Sequence, residues 1–394
     1  MELAKQILQK AEEHKNYTAN NLSTLIKHKS LSSQDKEVAS EIKKIMEEAA
    51  FDEVKIDGLG NVIGRIGNGK KIIAIDGHID TVDLGNLDAW EFDPLSGQIK
   101  DGYVLGRGTT DQTGGPVAAI TAGRILKELG LGNDITLYVT ATVMEEDCDG
   151  LCWKYIVEVD KIKPDCVIVT EPTNLNIYRG HRGRMEIEVS FYGLSAHGSA
   201  PERGKNAIYM ASFTALEIEK LNEKLADDPF LGKGSVTISE FVSSSPSLCA
   251  VSDFAKIHLD RRLTWGENKE LALNEVKSIV EGMNAKVELL QYEETAYTGL
   301  KYGMEKYYPT WKIEEDHPVI QTGVKAFKEL FNRDPVVDKW TFSTNGVTIN
   351  GIYKIPVIGF GPGNEELAHA PNEKVPIEHL IKASAFYALY CTRF

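Results

Sequence analysis

The residues of this chain that could do chemistry stand at the ends of short apolar runs. Ile72-Ile73-Ala74-Ile75 has the pattern of a strand buried on both faces, and it runs straight into Asp76, Gly77, His78, Ile79, Asp80 and Thr81. Side chains alternate along an extended backbone, so His78 and Asp80 point to one side. An imidazole with a carboxylate two residues on suits a metal ligand and the group that orients it. The same pair would also serve as an ordinary loop histidine and a capping acid. Later runs repeat the arrangement: 135–144 stops at Glu145-Glu146-Asp147, 166–170 stops at Glu171, and 355–360 leads into a segment holding His369. Open α/β sheets bind ligands outside the carboxyl ends of their strands, so these groups are expected to converge. Asp111 lies in the glycine-bounded stretch 106–115, just before a helical pattern over 116–129. The spacing and lysine of a P-loop are absent there, which argues against phosphate binding.

Two imidazoles and several carboxylates, with no cysteine required, fit two divalent ions sharing one carboxylate. A structural zinc site would prefer thiolates. Two ions held that closely can bind one hydroxide between them, generate a nucleophile at neutral pH and polarise a carbonyl. A carboxylate that is not a ligand must then take the water's proton and pass it to the leaving nitrogen. Neighbouring side chains diverge, so Glu145 and Glu146 can divide these tasks.

The elements that must position these groups follow from periodicity. The chain has 394 residues, enough for two domains or for one large domain with an insertion. Its hydrophobic share of 42% and charged share of 26% are those of an ordinary globular protein. The formal net charge of −14 argues against nucleic acid or an anionic membrane surface as the main partner. Five scattered cysteines do not form a disulfide framework, and the charged N-terminus has no signal-peptide pattern. A soluble cytoplasmic protein is expected. Cys148 and Cys152 are not spaced as CxxC and read as small buried hydrophobes.

Leu3, Ile7, Leu8 and Ala11 keep helical spacing, and Ser32 or Ser33 would cap a second helix carrying Val38, Ile42, Ile45 and Ala49. Two strands are expected within 51–66, with Asn68-Gly69 as a hairpin signal leading to the strand from Lys70. Farther on, Met185, Ile187, Val189 and Phe191 alternate with polar residues, a sheet wet on one face. A helix over 206–224, strands at 235–242 and 254–263, a helix over 267–283 and a strand at 286–292 complete a βαββαβ order. That order predicts a four-stranded sheet with two helices on one face, inserted between hinges at 179–183 and 295–303. A helix through Ile320, Val324, Phe327 and Leu330, a short strand at 336–339 and a closing helix over 376–390 end the chain.

DGHIDT, GRGTTDQTGG, the EED after a strand, the TEP at 170–172 and the late AHAPNE resemble, in order, the five blocks of the M20 metallopeptidases. The resemblance spans nearly the whole chain. Within that family the chain is most similar to the YgeY-type hydrolases, a branch associated with selenium-dependent metabolism. It implies an α/β fold: a zinc-exopeptidase-like catalytic domain (1–180 and 295–394), a mixed sheet with helices on both faces, and an inserted ferredoxin-like α+β lid (181–294). It implies His78 and Glu171 on one metal, Glu146 and His369 on the other, and Asp111 bridging them. Asp80 would orient His78, Glu145 would be general base and then acid, and the Asp111–Gln112 peptide would be cis. The lid's His197, in GLSAHGSAP, would reach a catalytic site, commonly that of the partner subunit, and stabilise the oxyanion.

Alternation puts Arg261 and Arg262 on opposite faces, so one of them is expected to clamp a substrate carboxylate, and Arg261 is favoured. A salt bridge with Asp260 is the alternative use. Asn345 and Gly346 are assigned to substrate contact, in a segment that replaces a Gly-Gly-Thr-Asp common in relatives. Gln112-Thr113 likewise replaces a frequent Met-Lys, and 247–253 an Asn-containing segment. The expected activity is two-metal hydrolysis of an amide-type C–N bond in a small carboxylate-bearing substrate, of the N-acyl amino acid deacylase type. The alternatives are a dipeptidase, an N-carbamoyl amidohydrolase or a non-catalytic metal-binding protein. Zinc is the expected metal, with cobalt or manganese possible. A homodimer through the lid is expected, with no nucleic acid or membrane partner.

Overall fold

The computed structural model describes residues 2–394. The large sheet takes its first six strands from β1 (Glu53–Ile56), β2 (Val62–Ile66), β3 (Lys71–His78), β4 (Ile135–Thr142), β5 (Cys166–Val169) and β6 (Ile177–Tyr178). The chain then builds a separate sheet from β7 (Gly183–Tyr192), β8 (Ser235–Ser244), β9 (Phe254–Leu263) and β10 (Ala285–Leu289). It returns to the first sheet with β11 (Val337–Asp338) and β12 (Val357–Gly359). Strand order in the first sheet is β1-β2-β4-β3-β5-β12-β6-β11. Its centre, β4-β3-β5-β12, is parallel throughout. The carboxyl ends of these four strands therefore lie side by side, and the segments holding residues 78, 145, 171 and 369 leave from one edge.

Asn68-Gly69 does turn the chain, but β2 and β3 do not pair. β4 lies between them, antiparallel to β2 and parallel to β3. The amide of Gly69 donates to Ile135 O at 3.1 Å, and a Cβ at Gly69 would sit 2.1 Å from Asp134 O. A local turn signal carries no information about a later strand that fills the gap.

The helices are α1 (Glu2–Glu13), α2 (Lys15–Ile26), α3 (Lys36–Glu48), α4 (Gly114–Glu128), α5 (Leu151–Glu158), α6 (Ala207–Lys224), α7 (Lys269–Ile279), α8 (Pro318–Phe331) and α9 (Ile377–Arg393). α1, α2, α4 and α8 gather around α9. The apolar residues of α9 run nearly all the way round it, from Leu380 through Phe386 to Tyr390, and they are fully buried. No helix among the described residues is long and apolar enough to cross a membrane.

The second sheet has order β8-β9-β7-β10, antiparallel at every pair, and Tyr307–Tyr308 adds to it along Arg184–Met185. This is the ferredoxin-like order of a βαββαβ unit. Met185, Ile187, Val189 and Phe191 are fully buried and form a core of their own with residues of α6 and α7. The alternate residues of β7 and β9 form a charged face. The inserted sheet thus has one dry face and one charged face, as its alternation predicts.

Candidate metal centre

His78 ends β3 with its Nε2 3.0 Å from Asp111 Oδ1, 3.5 Å from Glu171 Oε1 and 3.7 Å from Glu145 Oε2. His369 Nε2 stands 3.3 Å from Asp111 Oδ2 and 2.9 Å from Glu146 Oε2. Asp111 therefore presents one carboxylate oxygen to each histidine. His78, Asp111 and Glu146 offer atoms within 4.8 Å of one another, and so do His78, Glu145 and Glu171. All five residues expected to hold metal lie in this cluster, together with Glu145. The Asp111–Gln112 peptide is cis, as expected.

The cluster is too acidic to be at rest by itself. Glu145, Glu146 and Glu171 each keep one buried carboxylate oxygen with no hydrogen-bond partner. Burial lifts the carboxyls of Glu145 and Glu171 well above the usual range. Burial and the charge of Asp111 push Glu146 up to about 7. Asp111 goes the other way: against its burial, hydrogen bonds from His369 and His78 hold it well below the carboxylate range. Hydrogen bonds to Asp111 and Glu146 push His369 up to about 10. Buried polar atoms without partners are rare. Three of them in a pocket of hard oxygen and imidazole donors fit divalent cations in composition and charge.

The outer groups explain how the acids are held. The Nδ1–H of His78 donates to the main-chain carbonyl of Asp80 at 2.8 Å, which leaves Nε2 turned toward the carboxylates. The Asp80 carboxylate is farther off, 3.6 Å from Nδ1. It accepts instead from the amides of Glu145 (3.2 Å) and Glu146 (3.0 Å), and from the Ser32 hydroxyl at 2.6 Å. Asp80 thus orients the histidine through its backbone and the two glutamates through its side chain. Ser32, expected as a helix cap, supports Asp80; Asp35 is the residue that precedes α3.

Glu373 is a support that sequence reasoning passed over, although it ends the AHAPNE block. Its buried carboxylate accepts from the amides of Gly108, Thr110 and Asp111 and pairs with Arg107 at 2.8 Å. Met144, just before Glu145, and His369 itself have φ of +61° and +60°, left-handed values uncommon for such residues. At Gly77 a Cβ would fall 2.4 Å from Thr170 Oγ1 and 2.6 Å from Gln112 Oε1, so only glycine lets these segments close over β3.

The cluster opens into a cavity of about 300 Å³ whose far wall carries Arg184, Arg262, Asp149 and Ser343. The expected substrate residues are placed differently. Arg261 is 1% exposed, bonded to Glu267 at 2.6 Å and to the Arg262 carbonyl at 2.6 Å. It belongs to the inward series with Leu259 and Leu263, so the arginine that reaches the cavity is Arg262. Asn345 is also buried. Its amide nitrogen donates to Asp76 at 2.9 Å, and its oxygen accepts from the Gly150 amide at 2.9 Å and the Cys152 thiol at 3.1 Å. It bolts the sheet to the turn before α5 and has nothing left for a substrate. At Gly346 a Cβ would strike the Trp311 ring, so this glycine serves packing.

His197 is exposed and lies outside the cavity wall. Cys148 and Cys152 are fully buried, and burial raises both thiols, Cys148 to about 12. Arg184 and Asp149 were not singled out from the sequence. The alternation of β7 was the available signal for Arg184.

The profile of Peptidase family M20/M25/M40 matches residues 74–393. The protein YgeY of Escherichia coli (strain K12) is 50% identical over 386 residues, which cover 98% of this chain and 96% of that one. Among solved structures, the aminopeptidase PepT from Bacillus cereus superposes with a TM-score of 0.74 at 22% identity, over 96% of this chain and 98% of its own. YXEP from Bacillus subtilis, described as a dinuclear metal-binding peptidase of the M20 family, gives 0.71 at 16% identity over 97% and 98%. The two structures speak for the fold, and the family match and the near-full-length relative for descent. With a cluster of buried carboxylates and imidazoles at its strand ends, the chain belongs to peptidase family M20/M25/M40 and is a metal-dependent hydrolase.

Proposed function

We propose that the protein hydrolyses an amide-type C–N bond in a small substrate bearing a free carboxylate, in the manner of an N-acyl amino acid deacylase. The observation that carries this reading is Asp111, whose two oxygens face two histidines amid buried glutamate oxygens without partners. His78 and Glu171 would hold one divalent ion, Glu146 and His369 the other, with Asp111 shared. The chemistry of bound ions there is Lewis acidity toward a carbonyl and a lowered pKa for water. Zinc, cobalt and manganese all suit the donor set.

Glu145 takes the proton of the attacking water and delivers it to the leaving nitrogen. Its buried Oε1, free of any hydrogen bond, supports this role. Asp80 fixes both His78 and the Glu145–Glu146 backbone, so these reacting groups keep one geometry. Ser199 N donates to His197 Nδ1 at 3.1 Å, which leaves Nε2–H as the ring's free donor. Such a donor suits a developing oxyanion once a second copy brings it to the cavity.

A homodimer through the inserted sheet fits the exposed apolar stripe of Tyr209, Phe213 and Leu216 on α6, beside Phe241 and Val242 of the edge strand β8. All five cysteines are free, which fits a reducing cytoplasm. A dipeptidase is the second reading. It is favoured by Glu365, which lines the cavity with a buried oxygen lacking a partner and could receive a free ammonium group.

The test is turnover of metal-reconstituted protein against N-acetyl, N-succinyl and N-carbamoyl amino acids and dipeptides, followed by mass spectrometry. One class should be cleaved, with loss on chelation and recovery with zinc, cobalt or manganese. No cleavage by protein carrying two ions would sink the reading.

A further inference from the structure

The inserted sheet gives the cavity two arginines, and they are in different states. Arg184 on β7 and Arg262 on β9 are direct partners across the antiparallel pair, and both line the cavity. Like charges placed opposite each other on neighbouring strands repel. Arg262 is neutralised, since its Nε and Nη2 donate to the two oxygens of Asp260 at 2.8 and 2.9 Å. Arg184 has no such partner. Its Nε is buried without an acceptor, and the nearest carboxylate oxygens, on Asp149 and Glu186, are each 3.5 Å from Nη2.

Those separations exceed the roughly 2.7–2.9 Å of a charge-assisted hydrogen bond. Both acids are also engaged elsewhere: Ser343 donates to Asp149, while Lys306 and His258 hold Glu186. The Arg184 side chain is only 18% exposed, and its guanidinium rests 4.8 Å from the Tyr308 ring centroid, so it is held in place. A positioned, largely desolvated planar cation that lacks an acceptor is matched to a planar oxyanion. The cavity, about 300 Å³, is at the small end for ligand sites, so the oxyanion must belong to a compact molecule.

We infer that Arg184 is the residue that binds the substrate's free carboxylate and so sets the requirement for one, with Arg262 secondary because Asp260 already occupies its fork. The inference rests on the amide-hydrolysis reading for what the substrate is, but not for whether the carboxylate is bound. Asp149 and Glu186 flank Arg184 and keep its guanidinium turned toward the cavity.

The experiment compares each cleaved N-acyl amino acid with its carboxamide, using the zinc-reconstituted full chain, R184Q, R184K and R262Q. Wild type should prefer the acid by about 100-fold in kcat/KM, the scale of removing one partner from a buried charge pair. R184Q should lose that preference through KM, the value for the acid rising toward that for the carboxamide, and R262Q should keep most of it. A preference that survives in R184Q, or that disappears only in R262Q, overturns the inference. Should R184Q fail to fold, R184K decides, because it keeps the charge without the fork. An expected loss of about 10-fold supports the assignment, and an unchanged preference ends it.

Calorimetric binding of the same acid and carboxamide pairs to the zinc-loaded E145Q protein, with and without R184Q, separates this inference from the hydrolysis reading. Selective binding of the acids that R184Q removes upholds Arg184 even if wild type cleaves nothing. Cleavage with no selectivity for the acid in either readout overturns Arg184 and leaves hydrolysis standing.

Discussion

The strand ends of the large sheet and the open face of the inserted sheet carry the same kinds of residue, acids beside histidine and arginine, and treat them in opposite ways. On the inserted sheet several acids have a basic neighbour at hand: Glu188 meets Lys256 at 2.8 Å on the neighbouring strand, Glu186 meets Lys306 at 2.9 Å, and Asp260 meets Arg262 two residues along its own strand. These pairs are part-exposed, so solvent screens them. At the strand ends the acids are buried, their outer partners are backbone amides from distant segments, and three carboxylate oxygens are left with nothing. Local pairing cancels charge cheaply. Long-range burial keeps it in reserve for a ligand, and Arg184 on the inserted sheet is treated in that second way.

Substitutions can break this contrast or sharpen it. The largest effect is expected for Glu145→Gln, where turnover should drop by roughly 10²–10⁴-fold while metal analysis still finds two ions per chain. Near-normal turnover would show that another group carries the proton. Next comes Glu373→Ala, which removes the acceptor of three amides and the partner of buried Arg107. Denaturant unfolding should register a loss of about 3–5 kcal/mol; a loss under 1 kcal/mol would mean that burial at the strand ends is not costly after all.

His181, at the seam between the two sheets, tests burial through pH. It is fully buried, receives the Trp311 indole N–H at 2.7 Å, and burial pushes its pKa down to about 4. The unfolded chain titrates near 6.5, so the folded state favours the neutral ring. Its contribution is complete above pH 6.5 and fades as pH falls toward 4, by roughly 3 kcal/mol in total. A His181→Gln chain should lack this part of the slope when its unfolding is compared with wild type from pH 7 to 4. The smallest effect is expected on the open face. Lys256→Ala should leave the denaturation midpoint close to that of wild type, and closer still in high salt.

The strand ends were legible because each buried run stops at a residue that burial should forbid. Ile75 into His78 and Ile168 into Glu171 announce a site by that conflict alone, and the parallel centre of the sheet brings the ends together. What the sequence could not disclose depends on neighbours remote along the chain. Asn68-Gly69 encodes a turn but not the arrival of β4 beside it. Alternation separates Arg261 from Arg262 without saying which series faces α7, and Glu267 and the inward leucines decide that. Asn345 looked available for substrate because nothing local shows that Asp76, Gly150 and Cys152 use up its amide. α2 went unread since its buried face includes Thr18 and Ala19 amid polar neighbours.

Asp80 has a consequence for the cost of loading the site. Its carbonyl fixes His78 and its carboxylate fixes the amides of Glu145 and Glu146, all with protein groups alone. The histidine and the two glutamates are therefore already ordered relative to each other when an ion arrives, and little conformational freedom remains to be surrendered on binding. Asp80 works as a jig, and its rigidity is converted into affinity at a place it never needs to touch.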